Sequence, residues 1–324
     1  FNASYKLTED ITAGIVTGVD YASVAFLDSQ EPISRNQLRF NPEVDGTSSQ
    51  SLRRELAFNA TTSLNWNKSI DKHTFGVGGY LEYFKAHLRT FGFTQNGLDP
   101  KTFSPGDGSG FQSDVPENDF RVPSVFANKL DAGLLSYFGT VNYDFDNKYG
   151  LQGTVRRDAS YRFATTNRWG TFYSISGRWN IDEESFLEGS IFNNLKLRGS
   201  YGTSGNQRIT GNSYWSGADL PFTFFGTGSG YALNDAIFLS QLGNTTLKWE
   251  TVAQANIGLD FGLWNNKLSG SLDFYKKKTT DLFQSRPISG INGQFSINAN
   301  TGTLYNQGVD LQLTYNVVSN QNLR

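Results

Sequence analysis

The chain has 324 residues, of which 37% are hydrophobic and 18% charged, both below an ordinary globular domain. Lys+Arg of 28 against Asp+Glu of 30 leaves a net charge of -2, which excludes the global basic footprint of a nucleic-acid binder. A Cys count of 0 excludes disulfide scaffolds, thiolate metal sites and Cys nucleophiles, and no apolar run reaches the ~18 residues of a membrane helix.

Helical periodicity is almost absent, and period-2 alternation predicts strands throughout. Eleven are expected, at 3–9, 11–27, 53–67, 72–91, 131–146, 148–162, 169–181, 193–204, 245–262, 266–282 and 302–317. Most exceed the usual five or six residues. In the fifth, Tyr137, Val141, Tyr143 and Phe145 alternate with Ser136, Thr140, Asn142 and Asp144. In the seventh, Trp169, Thr171, Tyr173, Ile175 and Trp179 alternate with Gly170, Ser174, Ser176, Arg178 and Asn180. The ninth is clearest: Trp249, Ala253, Ala255, Ile257, Leu259 and Phe261 face one way, Gln254, Asn256, Gly258 and Asp260 the other. Leu268, Leu272 and Phe274 then alternate with Ser269, Ser271 and Asp273, and Tyr305, Val309, Leu311, Leu313 and Tyr315 with Asn306, Asp310, Gln312 and Thr314.

The connections alternate short and long. Residues 9–10, 68–71, 146–147, 182–192 and 263–265 are the short set, and 28–52, 92–130, 163–168, 205–244 and 283–301 the long set. Long strands with one apolar face, joined by turns at one end and loops at the other, are the pattern of an outer-membrane β-barrel. Hydrocarbon demands that every backbone amide be paired, so only helices and closed barrels cross it. Trp66, Phe145, Tyr149, Trp179, Trp264 and Tyr315 lie near the short-turn ends, where an interfacial aromatic girdle belongs. A soluble β-sandwich, propeller or lectin-like domain would use shorter strands with turns every 8–12 residues. Eleven strands do not make the usual even-numbered bacterial barrel, and an open sheet leaves two hydrophobic edges. Met is 0, at position 1 as well. The reading is one stretch of a larger barrel, residues 1–324 being part of a single barrel domain.

Four stretches carry a family resemblance. They are YGLQGTVRRDASYRFATTNRWGTFYSISGRWNIDEESF at 149–186, LKLRGSYGTSGNQ at 195–207, LKWETVAQANIGLDFGLWNNKLSGSLDFYKKKTTDLF at 247–283 and NTGTLYNQGVDLQLTY at 300–315. Together they cover about a third of the chain. In order and spacing they resemble SusC/RagA-type TonB-dependent outer-membrane transporters, with departures at Ala159, Tyr161, Tyr173 and Asp310. The resemblance implies a barrel of about 22 strands. It also implies an N-terminal plug domain and a TonB-contacting segment, neither of which is expected within residues 1–324.

Enzymatic constellations are poor, so no catalytic residue, metal ligand or cofactor is expected. His73 and His87 lie fourteen positions apart on one predicted strand and read as isolated side chains. The run 226–230, GTGSG, lacks the Lys and the strand-to-helix setting of a phosphate loop and reads as a flexible loop. Glu183 and Glu184 read as the start of a short helical turn, not a catalytic pair. The stretch 99–110 lacks the spacing of a calcium loop. Lys276, Lys277 and Lys278 form a basic run that could meet acidic lipopolysaccharide groups where the strand rises above the bilayer.

Functional weight falls on the long loops. Phe103, Phe111 and Phe120 in one, and Trp215, Phe222, Phe224, Phe225 and Tyr231 in another, are candidates for ligand or partner contact. Gln254, Asn256, Asp260, Ser269 and Asp273 are expected to line the wetted lumen wall. The resemblance implies active import of an oligosaccharide, a peptide or another large nutrient. The implied partners are a SusD-like surface lipoprotein, TonB acting through the N-terminal region, outer-membrane lipid and a possible second SusCD pair, with no nucleic acid. A non-transporting scaffold subunit of a larger outer-membrane complex is the alternative.

Overall fold

The computed structural model describes residues 1–32, 34–35, 46–98, 123–208, 213–231 and 234–317. Eleven strands form one antiparallel sheet in the order β1-β2-β3-β4-β5-β6-β7-β8-β11-β12-β15. They are β1 (Asn2–Lys6), β2 (Ile11–Gln30), β3 (Thr47–Ile70), β4 (His73–Asn96), β5 (Ser124–Phe145), β6 (Tyr149–Ser160), β7 (Trp169–Asn180), β8 (Phe192–Asn206), β11 (Glu250–Leu263), β12 (Leu268–Thr280) and β15 (Thr303–Tyr315). Neighbours in space are neighbours in sequence except where two small hairpins intervene. These are β9 (Phe224–Ser229) with β10 (Asp235–Gln241), and β13 (Phe283–Pro287) with β14 (Ser296–Asn300).

Two expectations change here. The first four residues of the GTGSG run are strand, not flexible loop: Gly226 pairs with Phe238 and Gly228 with Ala236. A Cβ at Gly226 would lie 2.9 Å from the Phe238 ring, so glycine makes room for that ring to lie across the hairpin. Trp249 does not open the apolar face of the ninth predicted strand. β11 starts at Glu250, and Trp249 is buried with Phe163, Phe172 and Leu247. Its indole N–H donates to the Arg168 carbonyl at 3.0 Å, and Leu220 and Phe283 pack alongside. This small core ties three long connections to the wall.

At the short-turn end the described non-glycine residues with left-handed backbone are Asp or Asn, except Trp264 at φ 53°. Asp71, Asp146, Asn147, Asn265 and Asn266 all have positive φ, near 49–59°, which Asp and Asn tolerate better than other side chains. The 182–192 connection holds two single 3-10 turns, 181–183 and 185–187, instead of one helical turn. Glu184 sits between them. It accepts from the Tyr149 hydroxyl at 2.5 Å, the Trp179 indole at 3.1 Å and the Lys148 ammonium at 3.3 Å. Those donors, Tyr149 foremost, hold its carboxyl below the usual carboxylate range. Two rings of the expected girdle are thereby fixed by one acid.

The chain divides into two compact units, one of Phe1–Thr17, Ala60–Tyr83 and Gly133–Arg324, the other of Gly18–Asn59 and Phe84–Ala132. Within the second, Ala57, Ala86, Leu88, Leu98 and Ala132 are buried, and Ser49 and Thr94 bond at 2.8 Å. Within the first, cross-strand register sorts the sheet into an apolar and a polar face. Ile257 opposes Phe274, Phe274 opposes Val309, Leu259 opposes Leu272, and Leu272 opposes Leu311. Ile257 and Leu311 are each 62% exposed. Contiguous bare aliphatic rows of this kind do not persist against water; they belong against the hydrocarbon of a bilayer, which long antiparallel strands with fully paired backbones can cross.

Candidate functional site

The polar face of the first unit carries the functional candidates. Gln254, Asn256 and Asp260 fall on it from β11, and Ser269 and Asp273 from β12, since Gly258 opposes Asp273 and Gly262 opposes Ser269. The five expected wall residues thus share one face. Around them the pairing builds an uncharged row. Asn142, Gln152, Ser176, Ser200, Asn256 and Tyr275 stand side by side across six strands.

One row is charged. Asp144 opposes Gly150, Gly150 opposes Arg178, Arg178 opposes Arg198, Arg198 opposes Gly258, and Gly258 opposes Asp273. From β5 to β12 the order is Asp-Gly-Arg-Arg-Gly-Asp, and β15 adds Asp310 opposite Asp273. Each arginine reaches away from its like-charged neighbour, across a glycine, to a carboxylate. Arg178 pairs with Asp144, and Arg198 reaches Asp273 at 2.6 Å. Arg198 also donates to Asp260 from Nε at 3.2 Å and from Nη2 at 3.1 Å.

The glycines are spacers. A Cβ at Gly258 would lie 2.6 Å from both Arg198 Cζ and Asp273 Oδ1, and one at Gly150 would lie 2.9 Å from Arg178 Cγ. Any larger residue would lift the guanidinium off the wall. The arrangement keeps two like charges on adjacent strands while each is neutralised on its far side. An open concavity of about 450 Å³ lies over this region, lined by Asn142, Asp144, Gln152, Arg178, Arg198 and Asn256 among others. It offers hydrogen-bond donors and acceptors to a polar occupant but no nucleophile–base pair. The two histidines are engaged elsewhere. His73 Nδ1 meets the Tyr143 hydroxyl at 2.8 Å, and His87 Nδ1 meets Asp131 at 2.5 Å.

The loop candidates divide. Phe103, Phe111 and Phe120 lie outside the described residues. Trp215 is half-buried, its ring 4.7 Å from that of Tyr214. Phe222, Phe224, Phe225 and Tyr231 are all exposed, the last at 95%. Phe224 and Phe225 lie on β9, whose partner strand β10 exposes Ile237 and Phe238. The second hairpin adds exposed Ile291 and Phe295. The two hairpins are joined by the Gln294 amide donating to the Leu239 carbonyl at 2.7 Å. They form an aromatic rim at the long-connection end. Sequence reasoning did not find Arg198, the Asp144–Arg178 pair or the glycine spacers, because strand register is what brings them together. It also passed over Ile291 and Phe295, which lie on a hairpin that it did not foresee.

A family model described as TonB dependent receptor-like, beta-barrel, matches residues 1–323. The TonB-dependent receptor SusC of Bacteroides thetaiotaomicron is 32% identical over 269 residues, which is 76% of this chain and 26% of that protein. TonB-dependent receptor P3 of Formosa agariphila is 35% identical over 264 residues, 80% of this chain and 25% of its own length. The RagAB peptide importer in its closed-closed state superposes with a TM-score of 0.82 at 26% identity, over 99% of this chain and 34% of that one. The chain spans about a quarter of the length of these curated relatives.

Proposed function

The chain belongs to the TonB-dependent receptor family of outer-membrane β-barrels, and from that premise we propose that the whole protein imports a large nutrient, oligosaccharide or peptide, beneath a SusD-like surface lipoprotein. The observation that carries this reading is the aromatic rim. Phe225, Ile237, Ile291 and Phe295 stand on two linked hairpins past the ends of the wall strands, exposed among the described residues. An exposed apolar surface at that end suits a protein lid. Trp215, Phe222, Phe224 and Tyr231 extend it. Beneath it, Gln254, Asn256, Asp260, Ser269 and Asp273 would line the wetted wall and solvate a polar cargo. The Arg178 and Arg198 pairs would hold that wall flat and offset much of its negative charge. The likeness to SusC and to a peptide importer supports import as the activity and leaves both cargo classes in play. In this reading the plug domain and the TonB-contacting segment belong to the remainder of the protein.

The test is mass spectrometry of the full-length protein purified from outer membranes in mild detergent. One surface lipoprotein should accompany it at equal stoichiometry. The triple substitution F225S/I237S/F295S should release that lipoprotein at least about tenfold while the barrel stays in the membrane, since three apolar anchors of an interface are removed. Retention of the lipoprotein by the triple variant would remove the rim from the argument. A wild-type protein locked among several unrelated outer-membrane proteins, with no lipoprotein, would replace import by the scaffold reading.

A further inference from the structure

The apolar face changes character toward the long-connection end. Register places Lys276 on that face between Ala255 and Gln307, and Lys278 on it between Ala253 and Tyr305. Lys277 points the other way, between Gln254 and Asn306. The three-lysine run is therefore two sites, with a pair on the lipid side and one residue on the wetted side. Both members of the pair are exposed. Among the described residues no carboxylate pairs with either, and Lys278 Nζ instead lies 5.4 Å from the centre of the Tyr305 ring. Their rows continue through Ala255, Tyr201 and Ile175, and through Ala253 and Thr203, whose hydroxyl accepts from the Tyr173 N–H at 3.1 Å, to Val155 opposite Tyr173, without one Asp or Glu. Arg157, on the same face of β6, is also exposed and lies 5.2 Å from the Trp169 ring.

A groove runs up to these lysines. Gly177 opposes Gly199, Gly199 opposes Ile257, and Leu151 opposes Gly177. The two glycines leave a shallow apolar trough of about 410 Å³, whose lining includes Leu151, Ile175, Tyr201, Ala255 and Ile257. A Cβ at Gly199 would come no nearer than 4.0 Å to any neighbour, and one at Gly177 no nearer than 3.8 Å. These glycines are therefore not required by packing within the sheet. The trough ends at Ala255, the residue opposite Lys276.

We propose that the trough and the Lys276–Lys278 pair together hold one phosphate-bearing lipid of the outer leaflet, an acyl chain lying in the Gly177–Gly199 trough and its phosphate on the two ammonium groups. The proposal rests on the barrel reading, which sets this face against lipid. It adds a specific lipid site to an otherwise generic hydrocarbon contact. Cations above an apolar band attract anionic headgroups, and the alanines opposite the lysines leave the headgroup room to approach.

The test is native mass spectrometry of the delipidated full-length protein, incubated with phosphorylated lipid A, with dephosphorylated lipid A, or with inorganic phosphate. One retained adduct is expected with the phosphorylated lipid only. K276Q/K278Q should lower its occupancy roughly 25-fold, a factor of about five for each lysine. K277Q, with one positive charge removed on the opposite face, should leave it unchanged. G199L, which fills the trough and alters no charge, should abolish it. Equal loss in K277Q, retention in G199L, equal binding of the dephosphorylated lipid, or full competition by inorganic phosphate would each overturn the proposal. Heat-modifiable electrophoretic mobility reports barrel closure separately. Its absence in the wild type would overturn the barrel reading instead.

Discussion

Arg198 is held in place by a residue that has no side chain. Its guanidinium crosses Gly258 to reach Asp273, and it also bonds Asp260. Replacing Arg198 by Gln leaves two carboxylates near one another, with Asp310 opposite Asp273 as a third. The expected cost is about 1–2 kcal/mol, hydrogen bonds to charged groups being discounted for partial exposure. D273N in that background should recover part of it. Gly258→Val gives a sharper version. Strand propensity alone favours Val over Gly, so a stabilised G258V protein would mean that the spacer role is wrong. The geometry here requires a lower urea midpoint in detergent for G258V, close to that of R198Q. None of this could be read from the sequence. Arg178 stood out as a polar member of an alternating strand, and Arg198 lay within a family-like stretch, but their carboxylate partners are 34 and 75 positions away in sequence. Only the pairing of six strands puts them in one row.

Single strands were far more legible, because period-2 alternation is itself the physics of a two-faced sheet. It assigned Leu259 and Leu272 to one face and Gln254 to the other; in the register Leu259 stands opposite Leu272, while Gln254 stands opposite Lys277. Arg at Leu259 or at Leu272 should therefore cost about 2–4 kcal/mol in folding titrations into lipid vesicles, and Arg at Gln254 much less. Equal tolerance at all three positions would sink the facing assignment. The alternation failed in two identifiable places. Trp249 continues the odd-position pattern of β11 yet is buried with Phe163 and Phe172, because its indole finds the Arg168 carbonyl before the strand begins. The hairpins β9–β10 and β13–β14 were missed because their strands are five to seven residues long, with Gly226 and Gly228 in one and Pro287 ending another. Such residues lower strand propensity, and hairpin pairing overrides it.

At the scale of the whole molecule, the sheet order begins at β1 and ends at β15, so each of these strands pairs on one side only among the described residues. β15 exposes Val309, Leu311 and Leu313 along an unpaired edge. Unpaired backbone groups in hydrocarbon cost several kcal/mol each, so this sheet cannot stand alone in a membrane. It must close on itself or continue into further strands. Its relatives, whose whole length is about three to four times that of the matched region, argue for continuation. A polypeptide limited to residues 1–324, refolded in detergent, should then form polydisperse assemblies by size-exclusion chromatography with light scattering, and should show no heat-modifiable band. A chain of the relatives' length should run as a discrete species under the same conditions. A monodisperse, heat-modifiable monomer from residues 1–324 would mean that β1 pairs with β15 in a closed eleven-stranded barrel. The polar face would then enclose a much narrower lumen, one too small for the nutrient cargo proposed above.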